Sequence, residues 1–282
     1  MLDYSILIEP EEFVNNCQKT AELFERDGRF NEDVNENSME GSIPVDENFP
    51  FIRKGFKFNF KKFFYLKGMK MYTNKIAKYL KFEVKGKENL KNLKNKGAII
   101  TCNHISLFDS FAVRYAVKND IMFMAAEFNN WKGKMGEISR HTGYLPITNK
   151  IKCIRKLNEA MEYYLTKKNK KVLIYPEQSM WRNYKKPRPM KNGAFHYAAK
   201  FNVPIIPLFI TYRNSGIKNQ GGEILYYTIN ILKPIYPKQE INNKENVDYL
   251  RVTNFNRYKE CYENTYNSQL EYSTDDKSKI II

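Results

Sequence analysis

The chain has 282 residues, 42% hydrophobic and 15% aromatic, a composition that excludes a disordered polymer and suffices for a sizeable core. Its net charge of +16 is uneven: residues 1–48 hold thirteen acidic and three basic side chains, which leaves +26 on the rest. A body so basic attracts polyanions, whether nucleic acid, an acidic protein or an anionic membrane.

The longest nearly apolar stretch, Val203 to Tyr212, is ten residues with two prolines, too short to span a bilayer. Met1 to Pro10 lack the basic start and apolar run of a signal peptide. Cys17, Cys102, Cys153 and Cys261 form no CxxC pair and the three histidines lie far apart, so no metal site is expected. The thiols read as reduced, which points to a cytoplasmic setting.

In chain order, residues 1–50 form an acidic arm, with a short predicted helix from Pro10 to Arg26 and a polar loop from Asp27 to Asn48. Blocks of like charge are usually solvated, so the arm is expected to be a solvated tail; the alternative is that it lies over the basic body. Residues 51–81 interleave aromatic and basic side chains. Phe56, Phe60, Phe63/Phe64, Met71, Ile76 and Tyr79/Leu80 recur at spacings near three, four and seven, which predicts an amphipathic helix. Phe56, Phe60, Phe63 and Phe64 beside Lys57, Lys61 and Lys62 also make up a helix suited to an anionic membrane interface. Packing of those aromatics on the protein's own core is the competing reading.

Residues 82–270 alternate between strand and helix. Strands are predicted at 82–84, 98–101, 121–125, 144–147, 171–175, 205–212 and 223–232. Helices are predicted at 108–117, before Arg140, and at 151–167, 193–201 and 247–266. This rhythm predicts an α/β fold, a mostly parallel sheet flanked by helices, with the amphipathic helix ahead of it. Residues 271–282 read as a polar tail.

One stretch carries chemistry. Thr101-Cys102-Asn103-His104-Ile105-Ser106-Leu107-Phe108-Asp109 follows a buried strand and precedes a helix, the place where open α/β sheets bind ligands. A turn bringing Asp109 to one nitrogen of His104 would fix the tautomer and leave the other nitrogen as a general base. On pattern alone, a capping network explains the same residues. Ser106 reads as a turn hydroxyl.

Asn-His-x-Ser-x-x-Asp after an apolar strand resembles the first motif of the glycerolipid acyltransferases, the lysophosphatidic-acid acyltransferase family. Three further pieces follow in that family's order. Gly143-Tyr144-Leu145-Pro146-Ile147 resembles the second motif, although its usual arginine is replaced by Asn149 or Thr148, with Lys150 adjacent. Tyr175-Pro176-Glu177-Gln178-Ser179-Met180 resembles Phe-Pro-Glu-Gly-Thr-Arg, with Gln178 where glycine is usual and Met180 where arginine is usual. Val203-Pro204-Ile205-Ile206-Pro207-Leu208 resembles the last, an apolar strand of the acyl pocket.

The resemblance implies transfer of a fatty acyl group from an acyl-CoA or acyl-ACP thioester to the hydroxyl of a lysophospholipid, on the inner face of a membrane. His104 and Asp109 would be catalytic; Lys150, Glu177, Ser179 and Arg182 would bind substrate. No metal or redox cofactor is implied. The alternative is a catalytically inactive basic protein that binds anionic membrane or nucleic acid; with no RRM or KH signature, nucleic acid is the less expected partner.

Overall fold

The computed structural model describes residues 9–34, 38–117, 120–219 and 222–280. Among these, seven strands form one sheet in the order β1-β7-β6-β2-β5-β3-β4. They are β1 (Glu83–Lys85), β2 (Ala98–Cys102), β3 (Met122–Ala126), β4 (Tyr144–Ile147), β5 (Lys171–Ile174), β6 (Ile205–Asn219) and β7 (Gly222–Ile231). Every pairing is parallel except that of β6 with β7, a long antiparallel hairpin.

The central strands are buried on both faces, so they read as continuous apolar runs. Successive residues nevertheless serve opposite cores. Ile99, Val172, Ile174 and Ile205 meet α5 (Ile151–Glu162), α6 (Gly193–Lys200) and α7 (Asn243–Tyr266). Ala98, Ile100, Leu173 and Ile206 meet α3 (Asp109–Val117) and the end of α2 (Phe56–Tyr79). Asn242 caps α7 by accepting the Glu245 N–H at 3.0 Å, while the Glu245 carboxylate accepts the Asn242 N–H at 3.2 Å. Gly143 turns the chain into β4 at φ +113°, where a Cβ would lie 2.4 Å from the Ile121 carbonyl oxygen.

The acidic arm does not behave as a solvated tail. In α1 (Glu11–Arg26), Val14, Cys17, Ala21, Phe24 and Glu25 face inward at helical spacing. With Phe30 and Val34, this strip covers Trp181, which is fully buried. Glu25 is buried too and accepts from Tyr184 Oη, Lys186 Nζ and the Ser273 N–H, each at 2.7 Å. The charge block packs because its inward face is apolar and its one buried carboxylate meets the basic body. The polar tail is likewise held down: Tyr272 Oη donates to the Pro187 carbonyl, and Ile280 packs on the same cluster.

In α2, Phe58, Lys62, Tyr65, Leu66, Met69, Tyr72, Thr73, Ile76 and Leu80 turn inward at a 3.6-residue period. Phe56 (84% exposed), Phe60, Phe63, Phe64 and Met71 form a ridge on the outside. The predicted helix is present, but its early aromatics and late apolar residues lie on different faces. Lys62 sits away from the ridge, 2.6 Å from Asp120.

Candidate active site

The chain leaves β2 at Cys102 and turns into α3 at Asp109. Asn103 anchors the start of this turn: its side-chain amide donates to the Ile210 carbonyl at 3.0 Å, and its side-chain oxygen accepts the Ile210 N–H at 2.8 Å. The loop is thereby tied to β6.

Asp109 is fully buried at the amino end of α3. One of its oxygens, Oδ2, accepts from His104 Nδ1 at 2.9 Å, from the Ile105 N–H at 2.7 Å and from the Ser106 N–H at 2.9 Å. The carboxylate therefore holds both the imidazole and the backbone that carries it. With Nδ1 donating to Asp109, Nε2 is the nitrogen left to take a proton. Burial pushes the Asp109 carboxyl up from its ordinary value, against the pull of its His104 and backbone hydrogen bonds. The Tyr175 ring stacks on the imidazole, centroids 3.9 Å apart and planes 11° from parallel, and so fixes the second orientation axis of the ring. The His104 side chain keeps 23% of its surface exposed.

Behind this pair lies a second layer. The Glu177 carboxylate and Arg188 guanidinium are both wholly buried and lie 3.0 Å apart. Glu177 Oε2 accepts the His104 N–H at 3.2 Å, and Oε1 accepts the Arg188 N–H at 3.0 Å. Arg188 donates in turn to the Phe30 and Ser179 carbonyls, at 2.9 and 2.5 Å. The Trp181 and Asn183 N–H groups reach the His104 and Ile105 carbonyls, each at 3.0 Å. The segment after β5 thus forms the bed on which the His104 loop rests.

Of the residues read from sequence, the structure brings His104 and Asp109 into direct contact. Glu177, expected at the substrate, is instead beneath the loop, because both its oxygens are engaged by Arg188 and the His104 backbone. Ser179 Oγ donates to the Glu32 carbonyl at 2.8 Å and sits under the arm. Arg182 is 7% exposed; its Nε donates to Glu9 Oε2 at 2.6 Å, and its guanidinium lies over the Phe13 ring. Lys150, half-exposed at the carboxyl end of β4, donates to the Val45 carbonyl at 2.7 Å. Ser106 Oγ accepts from Tyr227 Oη at 2.6 Å and from the Phe108 N–H at 3.1 Å, as a turn hydroxyl does.

Sequence reading did not identify the positioning roles of Asn103, Tyr175 and Arg188. Tyr175 and Asn103 lie inside the motifs, whereas Arg188, among several basic residues near 182–191, carries no signal that separates it from a surface cation. The Cys102 thiol beside the motif is pushed well up by burial, which keeps it from acting as a thiolate nucleophile.

A family model described as Acyltransferase matches residues 81–211. The 1-acyl-sn-glycerol-3-phosphate acyltransferase of Cocos nucifera is 27% identical over 160 residues, 53% of this chain and 50% of that protein. The enzyme of the same name from Saccharomyces cerevisiae is 29% identical over 168 residues, 55% of this chain and 52% of the relative. The chain therefore spans about half the length of these curated relatives. The crystal structure of the 1-acyl-sn-glycerophosphate (LPA) acyltransferase PlsC from Thermotoga maritima shares the fold. Its TM-score is 0.55 at 16% identity, covering 92% of this chain and 97% of that one.

Proposed function

We propose that the chain, which the Acyltransferase family model matches over residues 81–211, is an O-acyltransferase of the glycerolipid acyltransferase family. The donor is an acyl-CoA or acyl-ACP thioester, and the acceptor is the free hydroxyl of a lysophospholipid of the lysophosphatidic-acid type. The observation that carries this reading is the His104–Asp109 contact at the carboxyl end of β2, with Nε2 uncommitted.

The acceptor hydroxyl gives its proton to His104 Nε2 as its oxygen attacks the thioester carbonyl. Asp109 holds Nδ1–H and balances the imidazolium that forms, and the stacked Tyr175 ring adds a cation–π contact to that charge. The tetrahedral oxyanion then collapses, the C–S bond breaks, and the thiolate leaves as the thiol with the proton from Nε2. The acyl–oxygen bond formed replaces the thioester bond broken. General-base help of this kind is worth about 10²–10⁴ in rate.

The phosphate of the acceptor is assigned to Lys150 and Arg182, which stand in for the family's arginines. Glu9 holds Arg182, so the phosphate must displace a carboxylate to reach it. The exposed Phe56, Phe60, Phe63 and Phe64 ridge, with Lys57 and Lys61 on the same helix, is assigned to an anionic membrane surface at the cytoplasmic face.

The test is ester formation from acyl-CoA and, separately, acyl-ACP with a panel of lysophospholipids. His104→Ala should abolish turnover while leaving the thermal transition in place; turnover within a few-fold of wild type would overturn the mechanism. Arg182→Ala should raise KM for phosphorylated acceptors about ten- to hundred-fold, the value of a charge-assisted bond of about 1.5–3 kcal/mol. Glu9→Gln should lower that KM. Equal effects on unphosphorylated acceptors would show that Arg182 does not read the phosphate.

A further inference from the structure

A polar cavity lies at the end of the sheet opposite to His104. It has a volume of about 330 Å³ and opens between α2 and the amino ends of β3, β4 and β5. β4 is three strand positions from β2, about 14 Å across the sheet, and the cavity adjoins the ends of the strands opposite to His104. Five cationic side chains line it, Arg53, Lys62, Arg140, Lys168 and Lys170, against one carboxylate, Asp120.

The polar groups there are incompletely matched. Arg53 Nη1 donates to the Arg140 and Tyr144 carbonyls at 2.6 and 2.9 Å, yet its Nε and Nη2 are buried with no acceptor among the described residues. Asp120 Oδ2 takes Lys62 Nζ at 2.6 Å and Lys170 Nζ at 2.7 Å, yet its Oδ1 is buried with no donor among the described residues. Unpaired buried groups of this kind cost about 1–3 kcal/mol each unless something satisfies them. A guest that meets both demands must present several acceptor oxygens to guanidinium and ammonium groups and also one O–H to a carboxylate. A phosphomonoester does this as its monoanion, the form that keeps a P–O–H and prevails below its second ionisation at about pH 6. Sulfate and phosphodiesters lack that hydrogen. The cavity exceeds the size of a phosphoryl group, and the Phe58 and Tyr163 rings in its wall suit the organic part of an ester.

We propose that this cavity binds a phosphomonoester, with Arg53 and Lys168 donating to its oxygens and Asp120 Oδ1 accepting its P–O–H. Bound there, the anion bridges α2 to the α/β body, because Phe58, Asn59 and Lys62 come from α2 and the remaining groups do not. The site stands apart from the His104 chemistry and does not depend on it. Its source is either a membrane lipid with a monoester headgroup, reached through the helix that exposes the Phe ridge, or a soluble ester.

The experiment titrates orthophosphate into the full chain by calorimetry and reads hydrogen–deuterium exchange on residues 53–62 and 140–144. Saturable binding with protection of these segments is expected, and sulfate at matched ionic strength should bind at least ten-fold more weakly. Lys168→Gln should weaken phosphate about ten-fold, about 1.4 kcal/mol, while Lys244→Ala on α7, outside the cavity wall, leaves it unchanged. Asp120→Asn should erase the preference over sulfate, and its thermal transition checks that the fold survives. Absence of protection in these segments, protection confined to residues 103–109, or equal binding of sulfate overturns the proposal. Vesicles with a phosphomonoester lipid are then compared with vesicles of equal charge made from a phosphodiester lipid. Preferential binding of the first, lost in Lys168→Gln, identifies a lipid source; competition by free glycerol 3-phosphate without any vesicle preference identifies a soluble one.

Discussion

The Glu177 carboxylate and the Arg188 guanidinium, 3.0 Å apart and without exposed surface, set the height of the His104 loop through the His104 N–H. Removing one member of a buried ion pair leaves the other uncompensated, which costs about 3–5 kcal/mol. Arg188→Met should therefore lower stability by about that much in a denaturant titration. Glu177→Gln, which keeps an acceptor oxygen for the His104 N–H, should cost less. The double variant Glu177→Gln/Arg188→Met should recover part of the loss; strict additivity would show that the two residues act independently.

Asp109 links chemistry to stability. Asp109→Asn keeps the size of the side chain but removes the charge that orients Nδ1–H and balances the imidazolium, so acyl transfer should fall by about 10²–10⁴. The pH profile gives a second readout. Burial raises the folded-state value of this carboxyl, so the folded chain holds the proton at pH values where the unfolded chain has lost it. The resulting stabilisation is complete below the ordinary carboxylate value and is lost as pH rises through the raised one. A stability–pH curve for Asp109→Asn should lack that decline.

Gln178 occupies the position where the family's motif carries glycine, and its φ of +68° is the left-handed conformation that favours glycine. A side chain there costs about 1–2 kcal/mol. Gln178→Gly should stabilise the chain by up to about 1 kcal/mol, the remainder being offset by the greater freedom of glycine in the unfolded state. A lower melting temperature for this variant would show that the Gln178 side chain makes a compensating contact.

The α2 ridge makes a separate prediction. Phe56, Phe60, Phe63 and Phe64 are 53–84% exposed, so changing all four to Ser should leave the fold unaffected. The same variant should lose binding to anionic vesicles in a flotation assay, and wild-type binding should weaken with salt. Retention of the variant on vesicles would move the membrane contact to another surface.

The α/β rhythm, the central strands and the His104–Asp109 pairing were legible from the order of the residues. These rest on local signals: hydrophobic period, buried runs of β-branched residues, and a histidine and a carboxylate five residues apart at a strand-to-helix turn. Tertiary structure alone decided which of the other motif residues face outward. Glu177 turns under the loop because Arg188, eleven residues later, meets it in a dry interior, and no local periodicity records that pairing. Arg182 is held by Glu9, 173 residues away, and the acidic arm packs because Cys17, Ala21 and Phe30 find Trp181. The division of α2 into an inward lysine at Lys62 and an outward phenylalanine ridge depends on where α4 (Gly133–His141) and Asp120 stand beside it. Composition gives the number of charges and rings; only packing decides which of them water reaches.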